Sequence, residues 1–327
     1  MKQTRLDFVT VDVFTKKTFG GNPLAVFFAA QQLNSANMQR IAAEMNYSET
    51  AFVLPPKDPI NTAAVRIFTP KSELPFAGHP NVGTGFVLAA HPVAAPVTGK
   101  IELVSNGGNG QCVMRFEERA GLVEVVVELN ADGSPKESRI KAPRPFEQRV
   151  GHSNEEMARA LGLRSEQVVS VTGRSSIVSV GVEFPVVQVS GVDALEACDA
   201  QIRTFRQLSL KPDSQGQTAK TDDTFLVYAY CRAYRGRRPR IFRARMFDPL
   251  RGIPEDPATG SAAGALAGLL AEQESLEGRA RYEILQGEEM RRPSRIVVDV
   301  TRDNGQILET QIAGHCVEVI KGTFTLS

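Results

Sequence analysis

The chain has 327 residues, 42% hydrophobic and 23% charged, with a formal net charge of +1. That length allows one large or two ordinary domains, and the near-zero charge excludes a global field drawing the chain to nucleic acid or an anionic membrane. Met1 to Asp7 carries no signal-peptide pattern, no apolar run approaches the roughly 20 residues of a membrane helix, and Cys112, Cys198, Cys231 and Cys316 form no CxxC or Cys/His cluster, so a reduced, cytoplasmic chain without a metal site is expected.

Arg5 to Phe14 alternates like a strand, turns at Thr18 to Pro23, and is followed by a short strand, Leu24 to Phe28. A helix follows, with Ser35 as its expected cap and Met38, Ile41, Ala42 and Met45 on one face. Strands are expected at Thr50 to Leu54 and Ala63 to Phe68, then a Pro/Gly-rich loop from Thr69 to Pro80 and a small-residue helix from Asn81 to Ala90. Residues 100 to 129 read as strands with a glycine turn at Gly107 to Gly110. The polar stretch Asn130 to Lys141 reads as a linker between two halves, 1–130 and 131–327, with the last strand free to pack back on the first half.

The second half opens with a helix whose start, Ser153 and Glu156, forms a capping box, and which Gly162 can end. Strands near 168–172, 184–190, 225–231 and 240–247 follow, with a polar exposed loop at 211–223. A second Pro/Gly loop then leads to a second small-residue helix, Ser261 to Glu272.

Two segments repeat. Arg66-Ile67-Phe68-Thr69-Pro70 precedes His79-Pro80-Asn81-Val82-Gly83-Thr84-Gly85, and Arg245-Met246-Phe247-Asp248-Pro249 precedes Asp256-Pro257-Ala258-Thr259-Gly260-Ser261-Ala262. Each reads as a strand, a loop and a helix start, hence a duplicated unit. A helix start offers unpaired N–H groups and the positive end of the dipole. Gly83 and Gly260 leave room for a ligand at the backbone, Thr84 and Ser261 add hydroxyls, and two such starts facing each other would hold a small carboxylate. The Ala/Gly-rich helix interiors suit close threading through surrounding strands.

Asp12-Val13-Phe14, Gly21 to Val26, Ser48-Glu49-Thr50-Ala51-Phe52-Val53, Phe76-Ala77-Gly78-His79-Pro80, Glu255 to Ala262, Gln286-Gly287 and Arg292-Pro293-Ser294 together resemble the PhzF-like phenazine-biosynthesis isomerase family. The resemblance spans residues 12 to about 294. It implies an α/β (α+β) fold of the diaminopimelate-epimerase type: two similar domains related by a pseudo-twofold, each a rolled sheet around a central helix, with the ligand between them. It also implies a homodimer, no cofactor, and proton-shuttle chemistry like the isomerisation of trans-2,3-dihydro-3-hydroxyanthranilate. By motif, Glu49 is the proton carrier, His79 and Asp256 assist, and Gly78 and Ser261 lie beside the substrate. Asn81 and Gly260, in the same two loops, complete the expected binding set.

A carboxylate that takes a proton from carbon at neutral pH is helped by partial burial. The bland readings are a solvated Glu49, a structural His79, and helix-capping roles for Asp256 and Ser261. Glu166, in a similar local pattern to Glu49, is read as solvated. Seven arginines between Arg232 and Arg245 read as a solvated edge or a dimer surface, with no companion basic segment to bind nucleic acid. Gly83-Thr84-Gly85 lacks the rest of a dinucleotide fingerprint. The alternatives are a two-thiol epimerase of the same fold, which the absence of cysteine from both loops disfavours, and a non-catalytic ligand-binding scaffold.

Overall fold

The computed structural model describes residues 4–92, 99–106, 109–170, 172–210, 225–234 and 240–326. The glycine turn at Gly107-Gly108, the loop expected at 211–223, and Arg235, Arg237 and Arg238 lie outside the described residues. The chain divides into two compact units, Met1–Lys141 with Ala313–Ser327, and Ala142–Ile312.

The first unit contains β1 (Thr4–Val13), β2 (Asn22–Phe27), α1 (Ser35–Met45), β3 (Glu49–Leu54), β4 (Ala63–Phe68), β5 (Glu73–Leu74), α2 (Gly78–Ala90), β6 (Glu102–Asn106), β7 (Asn109–Glu118), β8 (Gly121–Leu129) and β9 (Pro135–Lys141). Cys316–Leu326 is the C-terminal strand and lies antiparallel to β1. From it the sheet runs through β1, β2, β3, β4, β7, β8 and β9, with the β2/β3 and β4/β7 pairs parallel. The two sheet ends approach where His315 Nδ1 bonds Lys136 O at 2.6 Å.

α2 runs through this roll and is buried from Gly78 to Leu88. Its glycines make that possible. A Cβ on Gly83 would stand 2.6 Å from a Leu24 methyl and 2.8 Å from a Val13 methyl. Gly83 therefore serves helix-to-strand packing, and the expectation that it opens the backbone to a ligand is not met. Thr84, expected to offer a hydroxyl to a ligand, is fully buried in the helix.

The sheet's other face carries a stack of aromatic rings. Phe8, Phe27 and Phe52 stack at 5.1 and 5.3 Å, and Phe68 meets Phe52 edge-on at 5.5 Å. α1 covers this face with Met38, Ile41 and Ala42. Each such fully buried large side chain contributes about 1.5–3 kcal/mol. The cap of α1 is Asn34, whose side chain accepts from Asn37 N; Ser35 is the first helical residue, and its hydroxyl instead meets Arg66.

The second unit contains β10 (Glu147–Ser153), α3 (Asn154–Ala160), β11 (Val168–Val169), β12 (Arg174–Ser179), β13 (Glu183–Val189), α4 (Val192–Glu196), α5 (Ile202–Ser209), β14 (Val227–Arg232), β15 (Ile241–Asp248), β16 (Ile253–Asp256), α6 (Gly260–Gln273), β17 (Gly278–Gln286), β18 (Ser294–Asp303) and β19 (Gln306–Gly314). Its strands run β10, β12, β13, β14, β15, β17, β18, with β13/β14 and β15/β17 parallel and the other neighbours antiparallel. This is the first unit's order and polarity again, with α6 in the place of α2. Gly264 and Gly268 let Ile312 and Phe146 approach α6. The capping box at Ser153 and Glu156 is present. No helix among the described residues is long and apolar enough to cross a membrane.

Two further expectations change. Residues 135–141 form β9, paired with β8, where a linker was read, because alternation between buried Ser138 and Ile140 and their more exposed neighbours suits a strand. The boundary thus falls after Lys141, not after residue 130. Arg232 and Arg240 pair with Glu274, and Arg243 with Glu196 and Glu289, so these described arginines tie elements together; none is a solvated edge.

Candidate active site

In both units an arginine latch sets the entry to the central helix. Arg66 Nε and Nη2 each donate to Glu73 at 2.8 Å, and Arg245 Nε and Nη2 donate to Glu255 at 2.9 and 2.8 Å. The guanidinium carbons lie 5.1 Å over Phe68 and 4.8 Å over Phe247. Both glutamates stand four residues ahead of the helix N-caps, Ala77 and Thr259. Matched from the latch, Gly78 corresponds to Gly260 and His79 to Ser261. The repeat read from sequence aligned His79 with Asp256. That alignment is offset, because the segment between latch arginine and latch glutamate is three residues longer in the second unit.

Neither central helix has a side-chain cap or an acidic residue in its first turn. α1 and α3 are capped by side chains, and α3 carries Glu155 and Glu156 at its start. No side chain among the described residues caps the first turn of α2 or α6, where the helix dipole favours an anion.

Glu49 is the first residue of β3, next to Leu24 of β2 in parallel register. Its Oε2 lies 3.3 Å from His79 Nδ1, and the two side chains are 15% and 6% exposed. Burial lowers the His79 pKa to about 3, against the opposing effect of the Pro23 carbonyl that accepts from the ring. The imidazole is therefore neutral at physiological pH. Its Nε2 is buried and makes no hydrogen bond among the described residues. Asn81, also fully buried, donates from Nδ2 to Ala77 O at 3.0 Å, and its Oδ1 has no partner. Gly78, His79, Asn81 and Glu49 thus meet at the start of α2.

In the second unit Asp256 ends β16, and its Oδ2 accepts from Thr259 Oγ1 at 2.6 Å. Gln286, which the sequence reading quoted as a motif residue without a role, is the hub here. Its Nε2 donates to Asp256 O at 2.7 Å and to Thr259 Oγ1 at 3.0 Å, while its Oε1 accepts from Thr259 N and Tyr228 OH at 3.1 and 3.0 Å. Gly287 has φ +80°, and a Cβ there would stand 2.5 Å from both Pro257 O and Arg292 O. Ser294 Oγ reaches the same two carbonyls at 2.9 Å. The motif residues Gln286, Gly287 and Ser294 therefore hold the Asp256–Pro257 loop. Gly260 and Ser261 open α6.

The four cysteines are free and buried. Burial pushes Cys198 to about 12 and Cys231 to about 11, and raises Cys112 and Cys316 as well. Such thiols are not bases at neutral pH. Glu166 is solvated and pairs with Arg164, as expected.

Residues 11–322 match the model of the phenazine biosynthesis-like protein family. The chain is 34% identical over 319 residues to a trans-2,3-dihydro-3-hydroxyanthranilate isomerase of Pseudomonas chlororaphis, covering 98% of this chain and 99% of that one. It is 34% identical over 323 residues to an uncharacterized isomerase of Mesorhizobium japonicum, covering 98% of each. The crystal structure of a Bacillus anthracis phenazine biosynthesis protein of the PhzF family superimposes over all of both chains with a TM-score of 0.78 at 23% identity. With its two matching rolls, each threaded by a buried helix, the chain belongs to the phenazine biosynthesis-like (PhzF) family of isomerases.

Proposed function

We propose that the protein is a cofactor-independent isomerase that moves a proton between two carbons of a small carboxylate, on a substrate like trans-2,3-dihydro-3-hydroxyanthranilate. The observation that carries this reading is the close approach of Glu49 to His79 at an uncapped helix start. The Glu49 carboxylate lies 3.3 Å from a buried imidazole held neutral. In the proposed step the carboxylate takes a proton from a substrate carbon, the double bond shifts, and the same carboxyl returns the proton to a second carbon. One C–H bond breaks and one forms, with no net change in oxidation state.

His79, 3.3 Å from the Glu49 carboxyl, is assigned the assisting contact to the substrate. Gly78, Asn81 and the first-turn amides of α2 are assigned to the substrate carboxylate. Asp256, Gly260 and Ser261 are assigned the assisting roles that the family resemblance implies. The proposed setting is a cytoplasmic homodimer acting on a small molecule, with no nucleic acid or membrane partner. A two-thiol epimerase is disfavoured by the burial and raised pKa of the cysteines. A non-catalytic scaffold would bind substrate without turning it over.

The test is a turnover assay on trans-2,3-dihydro-3-hydroxyanthranilate with wild type and Glu49→Gln. Conversion by wild type and its loss in the variant is the expected result. Equal rates would remove Glu49 from the mechanism.

A further inference from the structure

Glu118 stands outside the site just described, yet it is built into the start of α2. It ends β7 and pairs with Gly121 across a tight turn, where Gly121 has φ +126°. Side chains alternate along a strand, so Glu118 shares the face of Met114 and Phe116, both fully buried. The turn is fastened to the segment entering α2. Ala120 N donates to Pro75 O at 3.0 Å, and Arg119 reaches Glu73 at 3.4 Å.

Both Glu118 carboxyl oxygens are buried with no hydrogen-bond donor properly placed among the described residues, and the Asn81 side chain lies beside them. One Asn81 Nδ2–H is given to Ala77 O, and Asn81 Oδ1 is a second buried acceptor without a donor among the described residues. Unpartnered buried acceptors are costly, and one proton on the carboxyl relieves both groups.

We propose that Glu118 is a positioning residue that stays an un-ionised acid at neutral pH and donates its proton to Asn81 Oδ1, fixing the first turn of α2. This rests on the reading of that turn as the site of the substrate carboxylate. A charged Glu118 would oppose the anion that the positive helix end attracts, and a neutral one leaves that end to the substrate. Burial acts in the same direction, raising the Glu118 pKa to about 8, with the Asn81 side chain opposing.

The neighbouring charges are engaged elsewhere. Glu117 accepts from the Lys57 and Asp58 amides and from Asn61, Arg115 pairs with Glu102 and Glu124, and Arg119 and Arg66 share Glu73. On α2 the titratable group at this end is His79, neutral beside Glu49.

The sign of the pH effect follows. Glu118 holds its proton when folded and loses it when unfolded between the ordinary glutamate range and about pH 8, so stability falls as pH rises through that window. His79 gives the opposite slope below its ordinary value, so the interval from pH 6.5 to 8 isolates Glu118. Urea unfolding of the full chain should show the wild-type unfolding constant rising about tenfold per pH unit relative to Glu118→Gln across that interval, then levelling off. Equal pH dependence in the two proteins would overturn the proposal. So would carbon-13 NMR of glutamate-labelled wild type showing the Glu118 carboxyl ionised at pH 7.

With trans-2,3-dihydro-3-hydroxyanthranilate, KM in wild type should rise through pH 8. Glu118→Ala should raise KM at pH 7, and Glu118→Gln should restore it and remove the rise. An unaltered KM in Glu118→Ala would contradict the positioning role. The unfolding and NMR readings need no substrate, so absence of turnover counts against the isomerase reading alone.

Discussion

The starts of α2 and α6 are built alike and finished differently. Both follow a latch of arginine, glutamate and phenylalanine, both begin with glycine, and neither is capped. At α2 a polar group is left open: His79 Nε2 has no hydrogen-bond partner among the described residues. At α6 the corresponding region is closed on itself, with Gln286 bonded to Asp256, Thr259 and Tyr228. A duplicated scaffold thus carries one end suited to reaction chemistry and one end braced by its own hydrogen bonds. The lesson is that repeats inherit geometry, while roles follow from which donors and acceptors remain unused.

Substitutions sharpen that contrast. The largest effect is expected at the open end, where Glu49→Gln should lower kcat by about 10²–10⁴-fold with an unchanged melting curve. Arg245→Ala should destabilise the protein by about 3–5 kcal/mol in urea unfolding, because it removes a buried guanidinium, strands the half-buried Glu255 and releases the carbonyls of Leu195, Glu196 and Cys198. The first-unit latch is more exposed, and Arg66→Ala should cost about 1 kcal/mol. Equal losses would break the comparison. Gln286→Leu should fall between them, at about 1–3 kcal/mol, by leaving Thr259 N and Tyr228 OH without an acceptor.

The smallest effect is a predicted absence. With its pKa lowered to about 3, His79 should add no limb to the activity profile between pH 5 and 8. Its contribution to stability runs the other way from that of a raised group. The unfolded chain binds the extra proton, so stability is lost as pH falls from 6.5 towards 3. A His79→Asn variant should flatten that acid loss in urea unfolding.

Much of this plan was legible before any coordinates. The Arg-x-Phe-x-Pro strand ends marked the duplication, Ser48-Glu49 marked the opening of a strand, and Ser153 with Glu156 marked a capped helix. What escaped depended on contacts between distant segments. Gly83 looked like a ligand approach because a glycine near a helix start serves either purpose, and only the Leu24 and Val13 methyls decide between them. The His79–Asp256 alignment was offset because loop length conceals the structural register, which the latch glutamates reveal. α4 and α5 were missed because both are short, at 5 and 8 residues. Glu118 sits in the charged run Glu117-Glu118-Arg119 and was assigned no role from the sequence. Its signal was the alternation with Cys112, Met114 and Phe116, which turns it inward.

The central claim is that Glu49 carries the proton from one carbon to another. The most direct measurement is proton NMR of trans-2,3-dihydro-3-hydroxyanthranilate turnover in heavy water by wild type and Glu49→Gln. The account predicts conversion by wild type, with deuterium entering at the newly protonated carbon, and neither conversion nor exchange in the variant. Conversion with deuterium uptake by Glu49→Gln at the wild-type rate would contradict it.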